Sequence, residues 1–262
     1  MVGRVSIALL LLPLAATCPA HAAKPGQPGY EAPVPLSGDA SQPAGVATPH
    51  SNWAGYIATG RAFTSIVASW VQPAVTCPIA DARASFWVGL GDADTIQQDG
   101  TFAACDGRTV KYTGWWEMFD RQGGKGGMPL KVAPGDRIEA SVYYAPQAFT
   151  LTVTDETSGA SFSVLQPCTS VCARNNAEWI VERPGGGRYP LADFTAFGFA
   201  GATAGADDGT ATISGYPHKT IEGRLNGVVL DSPEPLAAGS SGTAFTVHWA
   251  AAGTGTQRAG SK

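Results

Sequence analysis

The sequence predicts an all-β fold, an antiparallel β-sandwich of two packed sheets, and three observations carry that expectation. Short runs rich in Val, Ile, Thr and aromatic residues recur along the chain. Gly, Pro, Asp and Asn punctuate them, with 33 glycines and 19 prolines among 262 residues, the composition of a loop-rich folded protein. No stretch sustains the apolar period of a helix. A single open sheet would leave one face and two long edges unprotected, so two sheets packed face to face are expected.

The expected strands span residues 52–58, 64–72, 85–91, 110–119, 137–145, 149–155, 161–166, 177–183, 196–200, 210–215 and 245–249. They belong to one domain over 51–250. Residues 23–50 are Pro-, Gly- and Ala-rich without periodicity and read as a leader or short pro-segment. Residues 251–262 are small and polar and read as a flexible tail.

Residues 1–22 read as a signal peptide, because Arg4 precedes the apolar run Ile7 to Leu12 and Ala20-His21-Ala22 supplies the small-x-small cleavage pattern. That run is shorter than the ~20 apolar residues a membrane-spanning helix needs, and no later segment approaches that length. A secreted protein, extracellular or periplasmic, is therefore expected, in an oxidising compartment. Cys18 leaves with the signal, and Cys77, Cys105, Cys168 and Cys172 remain, an even count that argues for two disulfides. Spacing leaves the pairing open; Cys77 with Cys105 and Cys168 with Cys172 is the expected set. A metal site would want His or closely spaced Cys pairs that are missing here, so no metal and no cofactor are expected.

The formal net charge of −4 becomes −5 once Arg4 is removed, since no other Lys, Arg, Asp or Glu lies within the first 22 residues. That balance disfavours nucleic acid and anionic membranes as partners. A modest carboxylate count also limits the positive charge gained in acid, which favours resistance to acid unfolding. A monomer is the default assembly.

Two strands carry chemistry, because side chains alternate between sheet faces with period two. Along 111–119, Trp115 and Glu117 share one face while Tyr112, Trp116 and Met118 share the other. Along 178–182, Glu178, Ile180 and Glu182 share a face, with Trp179 and Val181 opposite. A partly buried Glu has its charged form disfavoured, which raises its pKa and suits it to proton transfer.

Absent motifs narrow the chemistry. There is no Gly-x-Ser-x-Gly elbow, zinc-binding His-Glu-x-x-His, phosphate loop, dinucleotide fingerprint, or Asp-Thr-Gly or Asp-Ser-Gly pair. The histidines beyond the signal, His50, His218 and His248, read as surface or structural residues rather than members of a catalytic triad.

Six ordered segments carry a resemblance: Ser51-Asn52-Trp53-Ala54-Gly55, Ala68-Ser69-Trp70-Val71, Phe86-Trp87-Val88-Gly89-Leu90, Ile96-Gln97-Gln98-Asp99-Gly100-Thr101, Trp115-Trp116-Glu117-Met118 and Ala177-Glu178-Trp179-Ile180-Val181-Glu182. Together they resemble the motifs of the glutamic peptidases, or eqolisins, the scytalidoglutamic peptidase-like family. The resemblance implies a concanavalin A-like sandwich with a substrate groove across one sheet, protein or peptide substrates, and a secreted acid endopeptidase. It places Gln98, with Gln97 as the less favoured neighbour, and Glu182 at the catalytic positions, and Trp87 and Glu117 beside them in the groove. Trp115 is expected to line the groove as well. The chain departs from the family where Gly91 replaces an acidic residue with Asp92 one place later, where Thr113 stands for an Asp, and where Phe119-Asp120 replaces Tyr-Pro.

On this reading Glu182 is general base and then general acid for a water, and Gln98 stabilises the oxyanion. An unperturbed Glu pKa of ~4.3 lets such a base work in acid. Trp53, Trp70 and Trp179 are expected in the core, and Glu178 in the groove or at its rim, with the rim favoured. Two alternatives stand beside this one: a glycoside hydrolase pairing Glu117 with Glu182 on a lectin-like sandwich, and a non-catalytic module that holds a peptide or glycan.

Overall fold

A computed structural model describes residues 47–92, 94–120, 124–168, 173–236 and 241–254. The expected signal peptide and the leader up to residue 46 lie outside the described residues. The first strands are β1 (Thr48–His50), β2 (Trp53–Ala58), β3 (Phe63–Val71), β4 (Arg83–Gly91), β5 (Thr95–Asp106) and β6 (Thr109–Asp120). Then come β7 (Lys125–Lys131), β8 (Arg137–Ala145), β9 (Ala148–Asp155), β10 (Ala160–Pro167) and β11 (Asn176–Glu182). The last are β12 (Ala196–Ala206), β13 (Gly209–Thr212), β14 (His218–Leu225), β15 (Val228–Pro233) and β16 (Phe245–Trp249).

These strands form one hydrogen-bonded path in the order β10-β9-β8-β3-β12-β16-β15-β14-β2-β11-β4-β5-β6-β7, with β1 added to β14 and β13 to β12. Among the described residues every ladder is antiparallel except β1 on β14. The all-β expectation thus meets a continuous sheet rather than two separate ones. The link is β12, whose first residues pair with β16 and whose later residues pair with β3. A register shift between Ala200 and Thr203 marks the change of partner, and Gly201 there takes φ +62°, the bulge geometry that bends a strand. The path folds over so that β8 and β9 lie against β4 and β5.

Two apolar clusters result, one on each face of the β2-β11-β4-β5-β6 segment. The larger holds Trp70, Phe86, Trp116, Trp179, Phe194, Phe197 and Phe199, with Phe86 stacked on Phe197 at 4.3 Å. The smaller holds Trp53, Ile57, Trp87, Ile96, Phe102, Trp115, Phe119, Ile180 and Ile221. The alternation expected for 111–119 and 178–182 divides these residues correctly. Trp116, Trp179 and Val181 enter the larger cluster; Trp115 and Ile180 enter the smaller.

Several elements differ from expectation. β5, β7, β14 and β15 were not foreseen; β5 is buried on both faces over most of its length, which erases the period-two signal, and the others carry Gly, Pro or charged residues. Residues 210–215 are not one strand: β13 ends at Thr212 and a 3₁₀ turn runs Ile213–Gly215. β1 begins ahead of Ser51, and beyond 250 the chain remains bonded, with Ala251 N donating to Leu230 O and Leu191 N to Ala252 O. Cys77 and Cys105 are joined as expected. Cys168 is also disulfide-bonded, and its expected partner Cys172 lies outside the described residues.

Candidate active site

The register of four ladders lines up the polar residues of the smaller cluster's face. Glu178 of β11 sits opposite Gly89 of β4, Gly89 opposite Gln98 of β5, and Gln98 opposite Glu117 of β6. One face-repeat along β11, Ile180 faces Trp87; one further, Glu182 faces Ser85 on one side and Trp53 on the other. All these positions project from one face, because each differs from its strand neighbours here by an even number of residues.

Gly89 has a steric role in this row. A Cβ there would lie 3.1 Å from Cζ3 of Trp87 and 3.2 Å from Cβ of Gln98. The missing side chain lets the Trp87 indole lean over position 89 while its other edge reaches Glu182. Gly91 is tighter still, since a Cβ would meet the Thr95 carbonyl at 2.3 Å. The acidic residue of the family pattern has no room at 91. Asp92 instead caps the turn, its Oδ1 accepting from the backbone N–H groups of Asp94 and Thr95.

Each oxygen of Glu182 has its own donor. Asn52 Nδ2 donates to Oε1 at 3.1 Å and Trp87 Nε1 donates to Oε2 at 2.9 Å. Trp53 Nε1 faces the same carboxyl without closing a hydrogen bond. Burial is the main influence on this group and pushes its pKa up to about 8; the Glu117 charge raises it further, while the donors pull it down. Gln98 Nε2 donates to Glu117 Oε2 at 2.7 Å, and Gln98 Oε1 accepts no hydrogen bond. Gln98 is 0% and Glu182 3% exposed, so both side chains are enclosed in this structure.

The five residues expected at the site, Trp87, Gln98, Trp115, Glu117 and Glu182, therefore project from one buried face. Gln97 points the other way; with its amide oriented to satisfy its neighbours, it donates Nε2 to the carbonyls of Leu90 and Ala173. Two expectations are corrected. Trp53 is buried as expected but belongs to the smaller cluster, edge-on to Trp87 at 5.2 Å, because its pairing with Glu182 turns it to the site face. Glu178 is buried, not at the rim, because β2 and β4 flank β11 on both sides. Trp70 and Trp179 lie in the larger core. Asn52 was missed. Its place just before Trp53, the cross-strand partner of Glu182, becomes visible only once the register is known.

Residues 51–243 match the sequence pattern of the Peptidase A4 family. No curated protein matches the chain. Among solved structures, scytalido-glutamic peptidase with a transition state analog inhibitor is similar, with 21% identity, a TM-score of 0.64, and coverage of 76% of this chain and 98% of that one. SCP-B, a member of the eqolisin family in complex with the tripeptide Ala-Ile-His, has 21% identity, a TM-score of 0.60 and the same coverage. Aspergilloglutamic peptidase from Aspergillus niger has 24% identity and a TM-score of 0.56, covering 64% of this chain and 99% of that one.

Proposed function

We propose that this chain, which belongs to the Peptidase A4 family of glutamic peptidases, hydrolyses peptide bonds with Gln98 and Glu182 as its working pair. Family membership makes it a glutamic endopeptidase acting on protein or peptide substrates. The observation that carries the pair is the contrast between the two side chains. Glu182 is held by a donor on each oxygen, and Gln98 is held only through its nitrogen.

A peptide carbonyl is a weak electrophile, so its hydrolysis without metal needs a base for water, a donor for the oxyanion and an acid for the leaving amine. The uncommitted Oε1 of Gln98 accepts a hydrogen bond from the water and orients it. Ionised Glu182 removes a proton from that water as its oxygen bonds to the carbonyl carbon. The second N–H of Gln98 Nε2 supports the oxyanion. Protonated Glu182 then delivers its proton to the amide nitrogen as the C–N bond breaks, which returns it to the ionised form.

Glu182 with a pKa of about 8 is neutral in acid and is no base there. Burial is the first cause of that value, so the catalytic water that reaches the Glu182 carboxyl lowers it locally. Asn52 and Trp87 then favour the ionised form, and an acid optimum follows. Cleavage of residues 1–22 and export of the mature chain fit the Cys77–Cys105 disulfide.

The test is cleavage of denatured casein across pH 2 to 8 by the native protein, Gln98→Ala and Glu182→Gln. Loss of the Gln98 donor costs about 10²–10³ in rate, and loss of the base costs more. Either variant cutting as well as the native protein would remove the pair from the mechanism.

A further inference from the structure

Glu178 is as enclosed as the working pair, at 1% exposure, and has no part in the chemistry above. Asn176 Nδ2 donates to its Oε1 at 3.2 Å, whereas Oε2 is buried without a hydrogen-bond partner. It faces the same way as Glu182 and occupies the row of Gln98, separated from it only by Gly89. At the usual strand spacing the two backbones stand about 10 Å apart. The line from Gln98 to Glu182 crosses β4 at Trp87, and Glu178 lies beside it, within reach of a peptide laid along the Gln98 row.

We propose that Glu178 is a positioning residue for the substrate: as a neutral carboxylic acid it donates the Oε2 hydrogen to a backbone carbonyl of the bound peptide. The inference rests on the peptidase function proposed above. A neutral carboxyl carries one O–H, and a buried donor is normally paired. With Oε1 taken by Asn176, the proton belongs on Oε2, and an incoming carbonyl is the acceptor it lacks. Burial is the main cause that keeps it neutral, and neighbouring acidic groups add to it. Asp92 in the β4–β5 turn and Glu182 on its own strand both oppose a further negative charge. Lys219 of β14, which stands in the same row beyond Ile57, acts on Glu178 in the opposite direction. Burial pushes its pKa up to about 8, so the proton is present throughout acid conditions.

Glu178→Met keeps the volume and removes the donor; Glu178→Gln keeps a donor without the titration. Cleavage of oxidised insulin B chain is followed in each, and binding of the same peptide is followed by tryptophan fluorescence in the Glu182→Gln background. Glu178→Met is expected to raise KM and Kd about five- to tenfold, the worth of one hydrogen bond, with kcat less affected. Glu178→Gln is expected to restore most of that affinity and to hold it from pH 7 to 9, where Glu178 itself loses its proton and binding weakens.

Unchanged affinity in Glu178→Met would overturn the proposal, as would Glu178→Gln behaving like Glu178→Met. Where Glu178→Met fails to fold, the pH dependence of Glu178→Gln against the parent decides. Binding that depends on Glu178 in a protein that cleaves nothing would refute the Gln98–Glu182 mechanism alone. Cleavage with binding indifferent to residue 178 would refute this inference alone.

Discussion

Gln98 Nε2 and Glu117 Oε2 form a 2.7 Å hydrogen bond across the β5–β6 ladder, from directly opposed positions. The bond commits the nitrogen of the amide and so fixes which way its oxygen faces. Glu117→Leu should leave that nitrogen buried and unpaired and lower kcat/KM about 10²-fold, through loss of a buried charge-assisted bond.

Glu117→Gln should cost less, since its carboxamide oxygen still accepts from Gln98. The negative charge that raises the Glu182 pKa is then gone. The acid limb of the kcat/KM profile should move to lower pH. A loss in Glu117→Gln equal to that in Glu182→Gln would favour the paired acids of a glycoside hydrolase instead.

Trp87→Phe removes the donor on Glu182 Oε2 and keeps most of the ring. Hydrogen bonds to a carboxylate favour the ionised form, so losing one raises the pKa. The acid limb should shift upward and kcat should fall about tenfold, the effect of roughly 1.5 kcal/mol in a bond to a charged group. A pH–rate series on the purified variant checks both.

Stability should be greatest in acid. Asp99, Glu178, Glu182 and Asp231 are buried carboxyls whose pKa values burial raises. Their folded values lie above the unfolded values of about 3.9–4.3. The stability they contribute is full below that range and is lost as pH rises through the folded values, about 8 for the two glutamates. Thermal melts from pH 3 to 9 should show Tm falling with pH. Asp99, with neither oxygen hydrogen-bonded, is the sharpest case, and Asp99→Asn should flatten the decline. A Tm that climbs toward pH 8 would contradict this assignment.

The Cys77–Cys105 bridge spans 28 positions. Loop-closure entropy for a loop of that size is worth about 3–4 kcal/mol. The double Ser variant should therefore melt roughly 7–15 °C lower, measured by calorimetry in acid.

The features legible before any contact was known were local ones. Period-two alternation assigned Trp115 and Glu117 to one face of 111–119, and Glu178 and Glu182 to one face of 178–182. The structure agrees, because a strand's pleat is a property of its own backbone. The ordered motifs also pointed to the family before any contact was known. β5 escaped notice because burial on both faces leaves no alternation to read.

Which faces meet depends on long-range pairing. Register is set by the pairing of segments distant in the chain, with Glu182 opposite Trp53 and Gln98 opposite Glu117. That pairing turned Trp53 toward the site and brought Asn52 onto the Glu182 carboxyl. It also buried Glu178 between β2 and β4. Burial sets how strongly a carboxyl holds its proton, so the electrostatics of this site became defined only when the strands had paired and the path had folded over.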